Sequence, residues 1–147
     1  MSIVSLVLAA LSGIFMAIQG ALNTVLSKVI GLLEATFLVH VIGTFAGFIL
    51  LVFGLGQGDW HQISRAPWYA YLGGILGLAI VYLVATAIAK VGAAPATTAI
   101  ILGQVSTAAL VDHFGWFGLE PISFNIWKGV GIILMAAGAW LLLYRNC

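Results

Sequence analysis

The sequence predicts an all-α polytopic membrane protein with five transmembrane helices. Of its 147 residues, 63% are hydrophobic and 6% charged. A soluble domain carries about 25% charged residues, so this chain cannot cover a water-facing surface. The apolar residues fall into five stretches, at about residues 3–26, 32–55, 68–89, 94–112 and 124–144, each able to cross a hydrocarbon core about 30 Å thick. The links between them are short, and residues 1–147 read as one transmembrane domain embedded in a lipid bilayer. A net charge of +1 argues against a nucleic-acid partner.

The first stretch begins almost at Met1, with no basic segment before it. It is too long for a signal-peptide core and reads as a retained helix. Its polar residues Ser5, Ser12, Gln19 and Asn23 are spaced 7, 7 and 4 apart, which places them on one helix face. Gly13 and Gly20 lie near that stripe. Such a face either packs against a neighbouring helix or lines a cavity, and one face can do both.

Ser27-Lys28-Val29-Ile30-Gly31 reads as a short loop, which makes helices 1 and 2 an antiparallel hairpin. Glu34 falls in the first turn of helix 2, where the helix dipole favours a carboxylate. It is either a helix-start residue or a carboxylate that couples a proton or cation at a cavity mouth. His40 lies deeper and shares a face with Thr36 and Thr44. It serves either packing or the binding of a solute. Gly43 and Gly47 have the spacing of close helix approach.

The segment from Gly56 to Pro67 is the longest polar piece and reads as a solvent loop despite Asp59, His61 and Arg65. Trp60, Trp68, Tyr69 and Tyr71 form an aromatic belt at the membrane surface. Helix 3 carries glycines at 73, 74 and 77, and a polar pair, Tyr82 and Thr86, one turn apart. Lys90-Val91-Gly92-Ala93 reads as the next link. Pro95 follows in the first turn of helix 4, where proline is tolerated.

Helix 4 holds the most informative residue. The 18 residues from Ala94 to Val111 contain no charge, and Gln104 sits near their middle. A primary amide in lipid needs a partner, so Gln104 is expected to face other helices or a wet cavity. Thr97 and Val111 share its stripe. Asp112 lies two turns beyond, slightly offset, and opens the exit Asp112-His113-Phe114-Gly115-Trp116-Phe117-Gly118. Helix 5 has glycines but no internal polar residue and reads as a packing or dimerisation helix. A weak internal echo links the segment from Lys28 to Thr36 with the segment from Lys90 to Thr97.

No metal-ligand cluster, nucleophile–base set or phosphate loop is visible, so no enzyme activity, cofactor or metal site is expected. The lone Cys147 cannot form an internal disulfide. Five helices put the termini on opposite sides. Arg65 and Lys128 fall on the N-terminal side; Lys28, Lys90 and Arg145 fall on the other. Orientation follows Lys/Arg bias, and here there is almost none. Such a chain can insert both ways, and opposed copies can pair into an antiparallel dimer that reproduces the inverted repeat of many transporters.

Several stretches together resemble the YdcZ-type family of five-helix proteins in the drug/metabolite transporter superfamily. They are Gln19-Gly20-Ala21-Leu22-Asn23, Gly43-Thr44, the run from Pro67 to Gly77, Val91-Gly92-Ala93-Ala94, Gly103-Gln104, and the exit beginning at Asp112. The resemblance spans nearly the whole chain. It implies a bacterial inner-membrane protein, a small-molecule carrier role, and a half unit that works singly, as paired chains or fused into ten helices. Small multidrug resistance carriers are similar in plan but use a glutamate within helix 1, and helix 1 here has no acid.

The expected function is therefore a secondary carrier working by alternating access, either as an antiparallel homodimer or with a sister chain. Gln19, Asn23, His40, Tyr82 and Gln104 would line its cavity, with Glu34 or Asp112 coupling a proton or cation. A small dimeric channel and a non-transporting accessory subunit are the alternatives.

Overall fold

The computed structural model describes residues 2–144, so Arg145 and Cys147 lie outside the described residues. Among the described residues the chain is helix and turn, with no strand. The helices are α1 (Ile3–Ile30), α2 (Leu32–Val52), α3 (Leu72–Val91), α4 (Ala93–Phe114) and α5 (Ile126–Tyr144). All five are long and apolar enough to cross a membrane.

The expected helices are present, with shifted ends. The Ser27–Gly31 loop is absent because α1 continues through it to Ile30. Ser27 Oγ donates inward to the Thr24 carbonyl at 2.8 Å, and Lys28 sits in the last turn, where a cation suits the dipole. Gly31 alone makes the turn, at φ 99° and ψ 155°, while its N–H caps the Ser27 carbonyl. That backbone region is essentially open to glycine only. Gly92 does the same between α3 and α4, at φ 90° and ψ 165°, replacing the expected four-residue link.

Helix α2 stops at Val52, shortly before Gly54 with φ 73°, rather than continuing to residue 55. Pro67 precedes a 3₁₀ turn, Trp68–Tyr71, which leads into α3. The Asn125 side chain accepts the Lys128 N–H at 2.9 Å, so the fifth helix starts at Ile126 instead of Phe124. In the polar loop, Asp59 caps a second 3₁₀ turn, Trp60–Arg65, by accepting the His61 N–H at 2.9 Å. The Asp59 carboxylate is thus spent on the loop's own geometry.

Packing divides the chain into two compact units, Met1–Lys90 and Val91–Cys147. In the first, α1 packs on α2, and α3 meets α1 through side chains around Gly20 and Thr24. Its buried residues are mostly small: Gly20, Asn23 and Thr24 on α1, Ala35 and Thr36 on α2, Ala85 and Ile88 on α3. Small side chains let backbones approach, which is how helices associate where lipid removes the hydrophobic drive. In the second unit, α4 packs on α5. Most large apolar side chains are exposed, Phe37, Phe45, Ile75 and Trp127 among them.

Candidate functional site

The α1–α3 crossing sets the positions of the first polar residues. Thr24 Oγ1 donates to the Gly20 carbonyl at 2.8 Å and reaches the Ala85 carbonyl of α3 at 3.4 Å. A Cβ on Gly20 would lie 2.8 Å from Ile88 Cδ1 and 3.0 Å from Val84 Cγ1. A side chain at position 20 would make Ile88 and Val84 shift. The sequence shows this contact as a small-xxx-small spacing, Gly20 to Thr24, which the polar stripe beside it obscures.

Asn23, on the same turn, is 6% exposed and makes no hydrogen bond among the described residues. No fully buried side-chain polar atom lacks a partner among them, so the Asn23 amide keeps an accessible edge. Gln19, one turn earlier, faces outward. With Ser12, Phe15 and Met16 it lines an open groove of 590 Å³ along α1. The predicted stripe is therefore split: its inner end is packed and its outer half is open.

On α2, Thr36 is buried and donates to the Leu32 carbonyl at 2.8 Å. His40 Nδ1 lies 2.7 Å from the Thr36 carbonyl. A carbonyl can only accept, so Nδ1 carries the proton. Nε2 faces α3, where it would sit 3.8 Å from a Cβ on Gly77. The ring also borders a groove of 530 Å³ with Thr44 and the aromatic rings of Phe37, Phe45 and Phe48. Glu34 is exposed in the first turn of α2, with its carboxylate folded over Gly31.

Tyr82 is 39% exposed, and Thr86 Oγ1 donates to its main-chain carbonyl at 2.8 Å. Tyr82 is five residues from Gly77, about 140° around α3, so it points away from His40.

In the second unit, Gln104 is exposed midway along α4 and makes no hydrogen bond among the described residues. It shares a groove of 600 Å³ with Gly103, Thr107, Ala108, Asp112 and Leu119. The structure thus brings Gln104 and Asp112 together. The exit beyond them is a built turn. Gly115 adopts the left-handed conformation at φ 61°, and the Ile122 N–H donates to the Asp112 carbonyl at 2.7 Å. The Phe124 N–H donates to His113 Nδ1 at 3.3 Å, and Phe114 stacks on Trp116. Among the described residues, no three His, Cys, Asp or Glu side chains come together as a metal site.

The candidates therefore fall into separate places: a groove on α1, a packed crossing, a groove on α2 and a groove on α4. A family profile described as "Putative inner membrane exporter, YdcZ" matches residues 4–141. This chain belongs to the YdcZ family. The inner membrane protein YdcZ of Escherichia coli K12 is 26% identical to it over 140 residues, covering 92% of this chain and 91% of that protein. No solved structure matches the chain significantly. A YdcZ-family chain with five apolar helices is a multi-pass protein of the bacterial inner membrane. Membership in an exporter family points to transport and away from enzymatic chemistry.

Proposed function

We propose that this YdcZ-family chain is a small-molecule secondary carrier. It works by alternating access as a single transmembrane domain paired with an oppositely oriented copy or a sister chain. One observation carries this reading. Gln19 and Gln104 are mid-helix amides that open onto grooves and find no hydrogen-bond partner within the described chain. In hydrocarbon an unsatisfied polar group costs several kcal/mol, so such amides belong against a wet cavity or a partner's helices. A cavity closed by two chains gives both amides a use. Asn23 and Tyr82 add further polar atoms, and the candidate coupling groups are Glu34, Asp112 and the His40 ring.

The test is flux in proteoliposomes with a panel of radiolabelled cations, anions and neutral metabolites. A carrier gives saturable uptake and counterflow, and Gln104→Ala lowers both. Flux that neither saturates nor exchanges means a channel. Absence of flux for every class, with a stable partner on purification, means an accessory subunit. Labelling Cys147 with a membrane-impermeant maleimide in intact cells tests the pairing. About half labelled from outside is expected for mixed orientation, since the Lys/Arg bias is nearly nil, and labelling from one side only removes the antiparallel homodimer.

A further inference from the structure

Few groups in the five spans can change charge. Lys28 and Lys90 close α1 and α3, Glu34 opens α2, Asp112 and His113 close α4, Lys128 opens α5 and Tyr144 ends it. Away from the helix ends, the described residues hold two titratable side chains, His40 and Tyr82. Histidine is the side chain whose ordinary charge change falls between about pH 5 and pH 8. His40 lies eight residues past Leu32, about 12 Å along the helix, close to the middle of a bilayer.

The ring is held for one-nitrogen chemistry. Nδ1–H is engaged by the Thr36 carbonyl at 2.7 Å, and Nε2 makes no hydrogen bond among the described residues. Nε2 points at Gly77 of α3, where a Cβ would be in ordinary van der Waals contact with it at 3.8 Å. The other ionisable groups on the packed helices are Lys28 on α1, Glu34 on α2, and Tyr82 and Lys90 on α3, and none of them bonds the ring.

We propose that His40 carries the coupling proton of this transporter. The Nε2 lone pair takes a proton from water on one side of the membrane. The resulting imidazolium keeps its Nδ1–H bond to Thr36, so its charge still faces a carbonyl dipole. The new Nε2–H bond breaks on the other side and the proton returns to water. Nothing else is oxidised, reduced or transferred. The assignment rests on the carrier reading above and gives the coupling role to the ring rather than to Glu34 or Asp112.

The proton itself is the first probe. Wild-type protein carrying ¹⁵N-histidine is reconstituted in bilayers, and the His40 signals are those missing from His40→Gln. Where that variant does not fold, His61→Gln combined with His113→Gln leaves His40 as the lone histidine signal. Expected are a neutral ring with its proton on Nδ1 and, on acidification, a second proton on Nε2. A ring that stays neutral throughout, or whose proton sits on Nε2, overturns the assignment even when no transported solute is known.

The second arm uses a solute that the panel has shown the wild type to exchange. His40→Gln is expected to keep counterflow and lose accumulation driven by a pH gradient. Retained gradient-driven accumulation overturns the proposal. Loss of counterflow as well makes His40 a binding residue and overturns it too. If the wild type carries nothing, the carrier reading fails by itself, and the spectra alone judge the ring.

Discussion

The α1–α3 crossing can be tested with one methyl group. Gly20→Ala places a Cβ 2.8 Å from Ile88 Cδ1 and 3.0 Å from Val84 Cγ1, distances at which neighbours must move. Two effects oppose each other. Replacing a glycine inside a helix stabilises by about 0.5–1 kcal/mol. Overpacking a close contact costs about 1–3 kcal/mol. The second wins, and a net loss of about 1 kcal/mol is expected. Gly13, on the same helix, has nothing within 4 Å of its Cβ position. Gly13→Ala therefore keeps only the helix gain, about 0.5–1 kcal/mol. Ile88→Val removes the nearer of the two crowding carbons and alone costs about 0.5–1.5 kcal/mol. Combined with Gly20→Ala it relieves part of the clash, so the double variant is more stable than the sum by about 0.5–1 kcal/mol. Equilibrium unfolding in mixed micelles, followed by circular dichroism, reads all four variants. Equal effects of Gly20→Ala and Gly13→Ala, or strict additivity with Ile88→Val, would refute the close crossing.

Three further perturbations probe other contacts. Gly31→Ala forces a side chain onto φ 99° and into the Glu34 carboxylate, so it should destabilise by about 1–3 kcal/mol; Glu34→Ala in the same background recovers the collision but not the backbone strain, and full recovery would show that φ is not the constraint. Thr24→Val removes the reach to the Ala85 carbonyl and should cost about 0.6 kcal/mol, the typical worth of an interhelical bond in a membrane, with Thr24→Ser near wild type in the same unfolding assay. His113→Ala removes the acceptor of the Phe124 N–H but leaves the Ile122 N–H on the Asp112 carbonyl; amide exchange should quicken at Phe124 and stay slow at Ile122, and equal change at both would mean the turn folds as one block.

The helix count was legible because composition alone excludes a soluble chain, and short links leave the spans little room to move. The turns were not. Lys28 to Ile30 follows a long polar-striped helix and precedes a glycine, so it reads as a loop; yet every one of its residues is compatible with helix, and one glycine in a mirror-image extended conformation suffices to reverse the chain. Gln19 and Asn23 share a face by spacing, about 40° apart, but one is open and the other packed. That difference is set by α3 resting on Gly20 and Thr24, a tertiary fact no spacing on α1 encodes. Gln104 and Asp112 were readable as neighbours because both sit on one helix. His40 was readable as a polar residue, but not as a ring with one nitrogen fixed, which needs the coordinates of the Thr36 carbonyl.

The faint echo between Lys28–Thr36 and Lys90–Thr97 has a backbone counterpart. At both places a single glycine with positive φ separates two helices, its carbonyl accepts the N–H four residues on, and the alanine found there, Ala35 or Ala96, is buried. The difference lies three residues after each glycine. At Gly31 that position is Glu34, whose carboxylate covers the turn; at Gly92 it is Pro95, whose Cδ stands 3.9 Å from a hypothetical Cβ. Both glycines are needed for conformation, but only the first is also crowded. Glu34 thus has a local role, an anion at a helix start lying over a tight turn, that requires no transport chemistry. The same cannot be said of His40. A half-buried imidazole near mid-span places one nitrogen on a main-chain carbonyl that its own helix could satisfy without it, and leaves the other unbonded among the described residues. Its free nitrogen is what distinguishes it, and that distinction is chemical rather than structural.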